Sequence, residues 1–345
     1  MLREEISGLC GSISGPCDSI SGSTAALRRR MGADMIDLTR RPMAILCALG
    51  LALAPVAAAA EQDTPAAIPP AAALAAPQIE AHPALWKVSD GDTTIYLFGT
   101  IHLLPPNVDW FEGPVAKAFG GSQELVTEIV QPDAPTMQKI TLAAARRTDG
   151  KTLRATLSPE EKAKYETALA GLGIPAGAFD NVDTWFAAVT LTVLPLVKEG
   201  YSTESGVDNQ LGAKADARHV PHSALETAEY QLGLFDALPA DVQLRYLDDT
   251  LDKLPEVGTE LGKMVKAWEA GDADTLAKMM NDDMTDPVIG QVLLTNRNRN
   301  WSQWIEQRLK KPGTVFIAVG AGHLAGADSV QAMLAKDGVT AVRVQ

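Results

Sequence analysis

T-V-F-I-A-V-G-A-G-H-L (residues 314–324) decides the fold, because it repeats in outline an upstream stretch, T-T-I-Y-L-F-G-T-I-H-L (residues 93–103). Each is a short run of β-branched, aromatic and aliphatic residues, the signature of a buried strand, and each ends in Gly-x-x-His-Leu. Gly99 and Gly320 would let the chain turn sharply after the strand with no Cβ penalty. His102 and His323 then stand at the carboxyl ends of their strands, where open α/β sheets place their sites. A lone histidine at a strand end is usually a surface or structural residue. Two in the same frame, in a chain of five histidines, point to a shared role. If the strands are neighbours in one sheet, both imidazoles meet over one crevice, and that crevice is the expected active site.

Between these strands the chain reads as mostly helical. Residues 84–98, with Asp90-Gly91-Asp92 as the turn, predict a β-hairpin leading into the first Gly-x-x-His. A helix is expected over 108–119 and a strand over 124–130, broken by Pro132. Period two puts Glu124, Val126 and Glu128 on one face of that strand, with Glu128 at its carboxyl end, which makes Glu128 the candidate catalytic carboxylate. A strand-end glutamate with no role beyond solvation is the plainer alternative. Helical patterning covers 143–197, where Ser158 precedes Pro159-Glu160-Glu161 as an N-cap. Further helices are expected at 209–216, 228–235, 240–253, 260–269 and 273–280. A longer helix at 287–309 carries Arg297. A short strand and loop at 220–227, a helix at 327–336 and a strand at 340–344 complete the pattern. The expected fold is α/β: a central sheet built from N- and C-terminal strands, with a long helical insertion between them.

The 345 residues do not all belong to that fold. Residues 1–30 lack periodicity, and Met1, Met31, Met35 and Met43 are all possible starts. Arg40-Arg41 precedes an apolar run over 42–53 and an alanine-rich stretch over 56–60. This is the pattern of a secretory signal peptide, too short for a membrane span of about 20 residues. Residues 1–60 are therefore expected to be an extension and signal peptide, 61–81 an Ala/Pro-rich linker, and 82–345 the folded domain. Cys10, Cys17 and Cys47 all fall in the leading segment, so the exported chain has no cysteine for disulfides, thiolate metal sites or nucleophilic catalysis. Residues 1–60 hold 6 basic and 5 acidic side chains, which leaves 24 basic against 38 acidic. Such an acidic chain without a basic run argues against nucleic acid and anionic membrane surfaces as partners. A periplasmic or secreted location follows from the signal peptide, and the oligomeric state is left open.

The chain resembles the bacterial TraB/GumN family, related to the animal Tiki proteases. The stretches that carry the resemblance are G-T-I-H-L-L-P-P (99–106), G-V-D-N-Q-L (206–211), L-E-T-A-E-Y-Q-L-G-L-F-D-A-L-P (225–239), R-N-R-N-W (297–301) and F-I-A-V-G-A-G-H-L-A-G (316–326). Together they span essentially all of 84–345. The resemblance implies an α/β fold whose site is defined by both Gly-x-x-His histidines and a glutamate after the first. By position these are His102, His323 and Glu128, and Arg297 matches the family arginine. The animal relatives are metal-dependent proteases, and the related erythromycin-esterase-like proteins are hydrolases.

Two neutral imidazoles and a carboxylate, His102, His323 and Glu128, form a ligand set for a divalent ion such as Mn, Co or Zn, with a position left for water. A bound ion lowers that water's pKa and polarises a carbonyl, while Arg297 can face an oxyanion or a substrate carboxylate. A metal-free version uses one histidine as general base and Glu128 to orient it. Glu226 or Asp208 can add a third carboxylate or simply anchor loops. The expected function is an exported, metal-dependent, peptidase-like hydrolase acting on a peptide or small molecule. The alternative is a non-catalytic protein that binds a peptide or saccharide precursor in the same crevice. Other motifs carry less. Gly320-Ala321-Gly322 imitates a dinucleotide-binding turn, but too little chain follows for the βαβ units it needs. His219 and His222, around Pro221 in a non-helical stretch, read as structural, and His82 as exposed.

Overall fold

The computed structural model describes residues 77–283 and 286–345. Its strands are β1 (Ile79–Glu80), β2 (Leu85–Ser89), β3 (Thr93–Thr100), β4 (Val108–Asp109), β5 (Glu124–Thr127), β6 (His222–Ala224), β7 (Gly313–Gly320) and β8 (Val342–Arg343). Six of them form one mixed sheet in the order β6-β5-β7-β3-β2-β8, and β1 pairs with β4 apart from it. Strands β6, β5, β7 and β3 run parallel, while β2 and β8 add an antiparallel margin. The two strands of the repeated pattern are direct neighbours, with Thr100 opposite Gly320 at their carboxyl ends.

Alternation along the central strands feeds two cores. From β3 and β7, Phe98, Phe316 and Ala318 enter one core with Trp110, Phe119 and Trp268. Ile95, Leu97, Val315, Ile317 and Val319 face the other, with Trp301, Ile305 and Leu334. A strand apolar on both faces is stable only when both are covered, and burial of each large side chain contributes roughly 1.5–3 kcal/mol. The cover comes from helices. In chain order they are α1 (Gly113–Gly121), α2 (Ala134–Ala145), α3 (Leu153–Thr156), α4 (Pro159–Leu172), α5 (Thr184–Lys198), α6 (Val207–Ala217), α7 (Ala228–Asp236), α8 (Ala240–Lys253), α9 (Val257–Glu269), α10 (Ala273–Asp283), α11 (Pro287–Gly290), α12 (Asn296–Leu309) and α13 (Val330–Lys336). Helices α6 and α9 line the Phe98 side, whereas α12 and α13 line the Val315 side. A third core, built on Trp185, Tyr165, Phe235 and Tyr246, joins α2, α4, α5, α7 and α8 into the helical insertion. Among the described residues no helix is long and apolar enough to cross a membrane.

Ser158 caps α4 in a reciprocal capping box with Glu161, as its sequence predicts. Three expectations are corrected. Val108 and Asp109 do not begin a helix; they extend against Ile79 and Glu80, and α1 starts only at Gly113, with Pro114 in its first turn. The linker does not reach residue 81. Ile79–Glu80 is a strand, Ala81 is buried, and its N–H bonds to Asp109 O, so the fold begins before His82. The helix expected over 287–309 is interrupted by a π-helical turn, Gln291–Thr295, just before Arg297. The expected signal peptide and most of the linker lie outside the described residues.

Candidate active site

Four parallel strands end along one edge of the sheet, and each delivers a polar side chain there. His102 follows β3, Glu128 follows β5, Glu226 follows β6 and His323 follows β7. Glu128 and Glu226 extend the β5–β6 pairing, since Glu226 N–H donates to Glu128 O at 2.8 Å. The glycine of the first pattern works differently from expectation. Gly99 lies within β3 and is not at a left-handed φ. A Cβ on it would lie 3.0 Å from Ala321 Cα, so the small residue permits close approach of the second histidine's loop.

His102 is 8% exposed, and its Nδ1–H donates to Asp208 Oδ2 at 2.5 Å. Asp208 sits in the first turn of α6, where the helix N-terminus favours negative charge. Its other oxygen accepts from Thr100 Oγ1 at 2.8 Å. The helix can come this close because its N-cap is Gly206; any Cβ there would meet His102 O at 2.2 Å. His102 Nε2 is buried and has no hydrogen-bond partner among the described residues. Burial is the largest influence on the ring and opposes its charged form. The charge and hydrogen bond of Asp208, with Glu128 behind them, outweigh both burial and the opposing Arg297, so His102 titrates above an ordinary histidine.

The other three strand ends converge on Arg297, which is fully buried. Its Nη2 donates to Glu128 Oε2 at 2.6 Å and to Glu226 Oε2 at 2.8 Å, and its Nε donates to Glu226 at 3.0 Å. Its Nη1 donates to Leu293 O, in the π-helical turn, at 3.1 Å. The remaining N–H of Nη1 meets His323 Nε2 at 3.2 Å. All five guanidinium N–H groups therefore have protein acceptors. Burial opposes the cation, but the two glutamates outweigh it and keep it protonated.

His323 is neutral by the same geometry. Asn298 Nδ2 donates to Asp328 O, which turns Asn298 Oδ1 toward His323 Nδ1 at 2.5 Å. Nδ1 thus carries the proton, and Nε2 offers its lone pair to Arg297. The ring lies 4.3 Å from the Trp301 ring, centroid to centroid, and is 0% exposed. Glu128 Oε1 accepts the Gly320 N–H at 2.7 Å, and Gln231 donates to both glutamates.

A cavity of about 600 Å³ opens beside this edge. His102, Thr127, Glu128, Asp208 and His222 line it; His323 and Arg297 do not. The expected trio is thus brought to one sheet edge but divided. His102 and Glu128 face the cavity, while His323 stands behind Arg297. Of the three expected ligands only His102 presents a bare nitrogen, since the fixed cation of Arg297 occupies Glu128 and His323. As these side chains stand they do not fit one ion, and among the described residues no three His, Asp or Glu groups converge on a common metal position. Arg297 has no N–H left for a substrate. Asn298 and Gln231 are further members of the buried cluster. Each had a signal, Asn298 its adjacency to Arg297 in R-N-R-N-W and Gln231 its place five residues after Glu226 in L-E-T-A-E-Y-Q-L, though neither was singled out.

The profile of the TraB/PrgY/gumN family matches residues 84–343. The chain is similar to the uncharacterized protein YbaP of Escherichia coli (strain K12), with 27% identity over 259 residues, 73% of this chain and 92% of the relative. It is similar to YbaP of Shigella flexneri at the same 27% identity and the same coverage. No solved structure matches it.

Proposed function

This chain belongs to the TraB/PrgY/gumN family, and we propose that it is a peptidase-like hydrolase in which His102 activates water. One observation carries the reading: a nearly buried imidazole, held by Asp208 at Nδ1 and bare at Nε2, lines a cavity large enough for a peptide segment. Water bound in the cavity donates a proton to Nε2 as its oxygen attacks the substrate carbonyl carbon. The carbonyl π electrons move to oxygen, and Gln131 and Thr203, in the same lining, supply N–H and O–H groups to that oxyanion. Collapse of the adduct breaks the bond to the leaving group, which takes the proton from Nε2 and restores neutral His102. Asp208 keeps the ring in the tautomer that can accept, and the charges of Asp208 and Glu128 favour the imidazolium that forms. Arg297 acts one step back by holding Glu128, and His323 by accepting from Arg297. The signal-like segment over 40–60 supports export, so substrates are to be sought in the periplasm or outside the cell.

The test is digestion of a random peptide library by the purified chain, with metal analysis and a chelator arm. Cleavage that His102→Ala abolishes supports the reading. Loss on chelation, restored by one divalent ion, would make His102 a ligand rather than the base. No cleavage in any arm would leave a binding protein.

A further inference from the structure

Cleavage as described uses His102, Asp208, Glu128, Gln131 and Thr203 and leaves several other residues of the cavity lining without a task. Much of that lining is one face of α6: Asp208, Asn209, Gly212, Ala213 and Asp216, with His222 of β6 beside it. The hydroxyl of Thr127 donates to Ile129 O at 2.7 Å. Its oxygen must therefore accept from His222 Nε2 at 2.8 Å, which fixes the proton on Nε2 and leaves Nδ1 with a lone pair. Gly212 leaves space at that edge of the ring, because a side chain there would begin 3.9 Å from Nδ1. Burial keeps His222 below an ordinary histidine despite the charge of Asp216, so the lone pair is present at neutral pH.

Asp216 lies one helical turn beyond Gly212 and is exposed. The cavity holds three carboxylates and no lysine or arginine. Glu128 is matched by Arg297, and Asp208 accepts from His102 and Thr100, whereas Asp216 has no ion pair among the described residues. The nearest cations in sequence are committed elsewhere. Lys214 rests 4.1 Å from the Phe111 ring centroid, and Arg218 donates to Phe119 O and Gly120 O. This end of the cavity thus presents an unbalanced negative charge and a neutral acceptor. The same cavity holds the buried, unpartnered His102 Nε2.

We propose that Asp216 and His222 form a subsite for a cationic side chain, a lysine or arginine of a peptide. Asp216 meets the charge, and His222 Nδ1 accepts one N–H. The assignment to substrate rests on His102 being the reacting end. From Asp208 to Asp216 the helix rises about 12 Å. An extended peptide covers that distance in about three to four residues, which is where the cation falls relative to the cleaved bond. Acidic peptides are disfavoured by the same carboxylate.

The test separates this subsite from the reaction. Two alanine-based octapeptides are compared, one with lysine at its fourth residue and one with that lysine acetylated. Binding is measured by calorimetry on His102→Ala protein whose melting shows it folded, so that turnover cannot remove the ligand. The lysine peptide should bind about fivefold more tightly, as expected for a partly exposed ion pair. Asp216→Asn should erase the difference, and Asp216→Glu should retain most of it. Equal binding of both peptides, or a difference that survives Asp216→Asn, overturns the subsite. Library cleavage by the unsubstituted chain is scored separately. A lysine preference in binding without any cleavage keeps the subsite and sinks the hydrolase, whereas cleavage without the preference does the reverse.

Discussion

The two Gly-x-x-His turns share a sequence frame and neighbouring strands, yet their histidines end in opposite states. His102 has one nitrogen on Asp208 and the other bare in a cavity. His323 has both nitrogens engaged, by Asn298 and Arg297, under the Trp301 ring. The difference comes from what packs against each turn. Helix α6, admitted by Gly206, brings a single carboxylate to His102 and leaves space beyond it. Helix α12 brings arginine, asparagine and tryptophan onto His323 and leaves none. A shared motif therefore marks where a side chain stands, and its packing partners decide whether it is left bare or held.

The sharpest way to break this contrast is Arg297→Met. Removing the cation leaves Glu128 and Glu226 buried without a countercharge, and the unfolding free energy should fall by about 3–5 kcal/mol in urea titrations. A neutral result would mean that the His323 side is not a structural network. His102→Ala should do the reverse. Hydrolysis of library peptides should fall at least about 100-fold, with stability lowered by about 1.5–3 kcal/mol, the worth of a hydrogen bond to the Asp208 carboxylate and less than the loss for Arg297→Met. His323→Ala should rank third. It strands a buried arginine N–H and the Asn298 carbonyl, costing about 1–3 kcal/mol, and lowers the rate less than His102→Ala does. Equal rate losses for the two histidines, with no loss of stability, would restore them as equivalent catalytic partners.

The smallest effect is a shift in pH dependence. Since His102 titrates above the ordinary 6.5, the rate should rise with pH through a midpoint higher than that value. Asp208→Asn removes the charge that favours the imidazolium, so the acid limb should move to lower pH while the plateau rate also falls. The linked stability has the opposite sense. A raised histidine contributes stability fully below 6.5 and loses it as pH climbs through the folded-state value. A His102 NMR titration midpoint below 6.5 would contradict both statements.

Much of this arrangement was legible in the chain itself. Apolar runs of β-branched and aromatic residues name strands because strand side chains alternate between faces, and β3 and β7 bury both. The Ser158–Glu161 cap and the order of helices followed from local chemistry in the same way. Glu128 was legible from strand phase, although β5 itself ends one residue earlier at Thr127. Local sequence could not tell that Gly99 serves a close approach rather than a turn, that Arg297 turns inward onto two glutamates, or that His222 lines the cavity. Each of these depends on atoms brought together from distant segments: Ala321 against Gly99, Glu128 and Glu226 around Arg297, Thr127 beneath His222. The sequence by itself determined which side chains follow the carboxyl ends of the strands, since strand position and phase follow from near-neighbour patterning, whereas the order of the strands was set by the fold. Only the tertiary structure decided which of them is bare and which is held, because desolvation and hydrogen-bond partnership are properties of the packed surroundings, not of the residue.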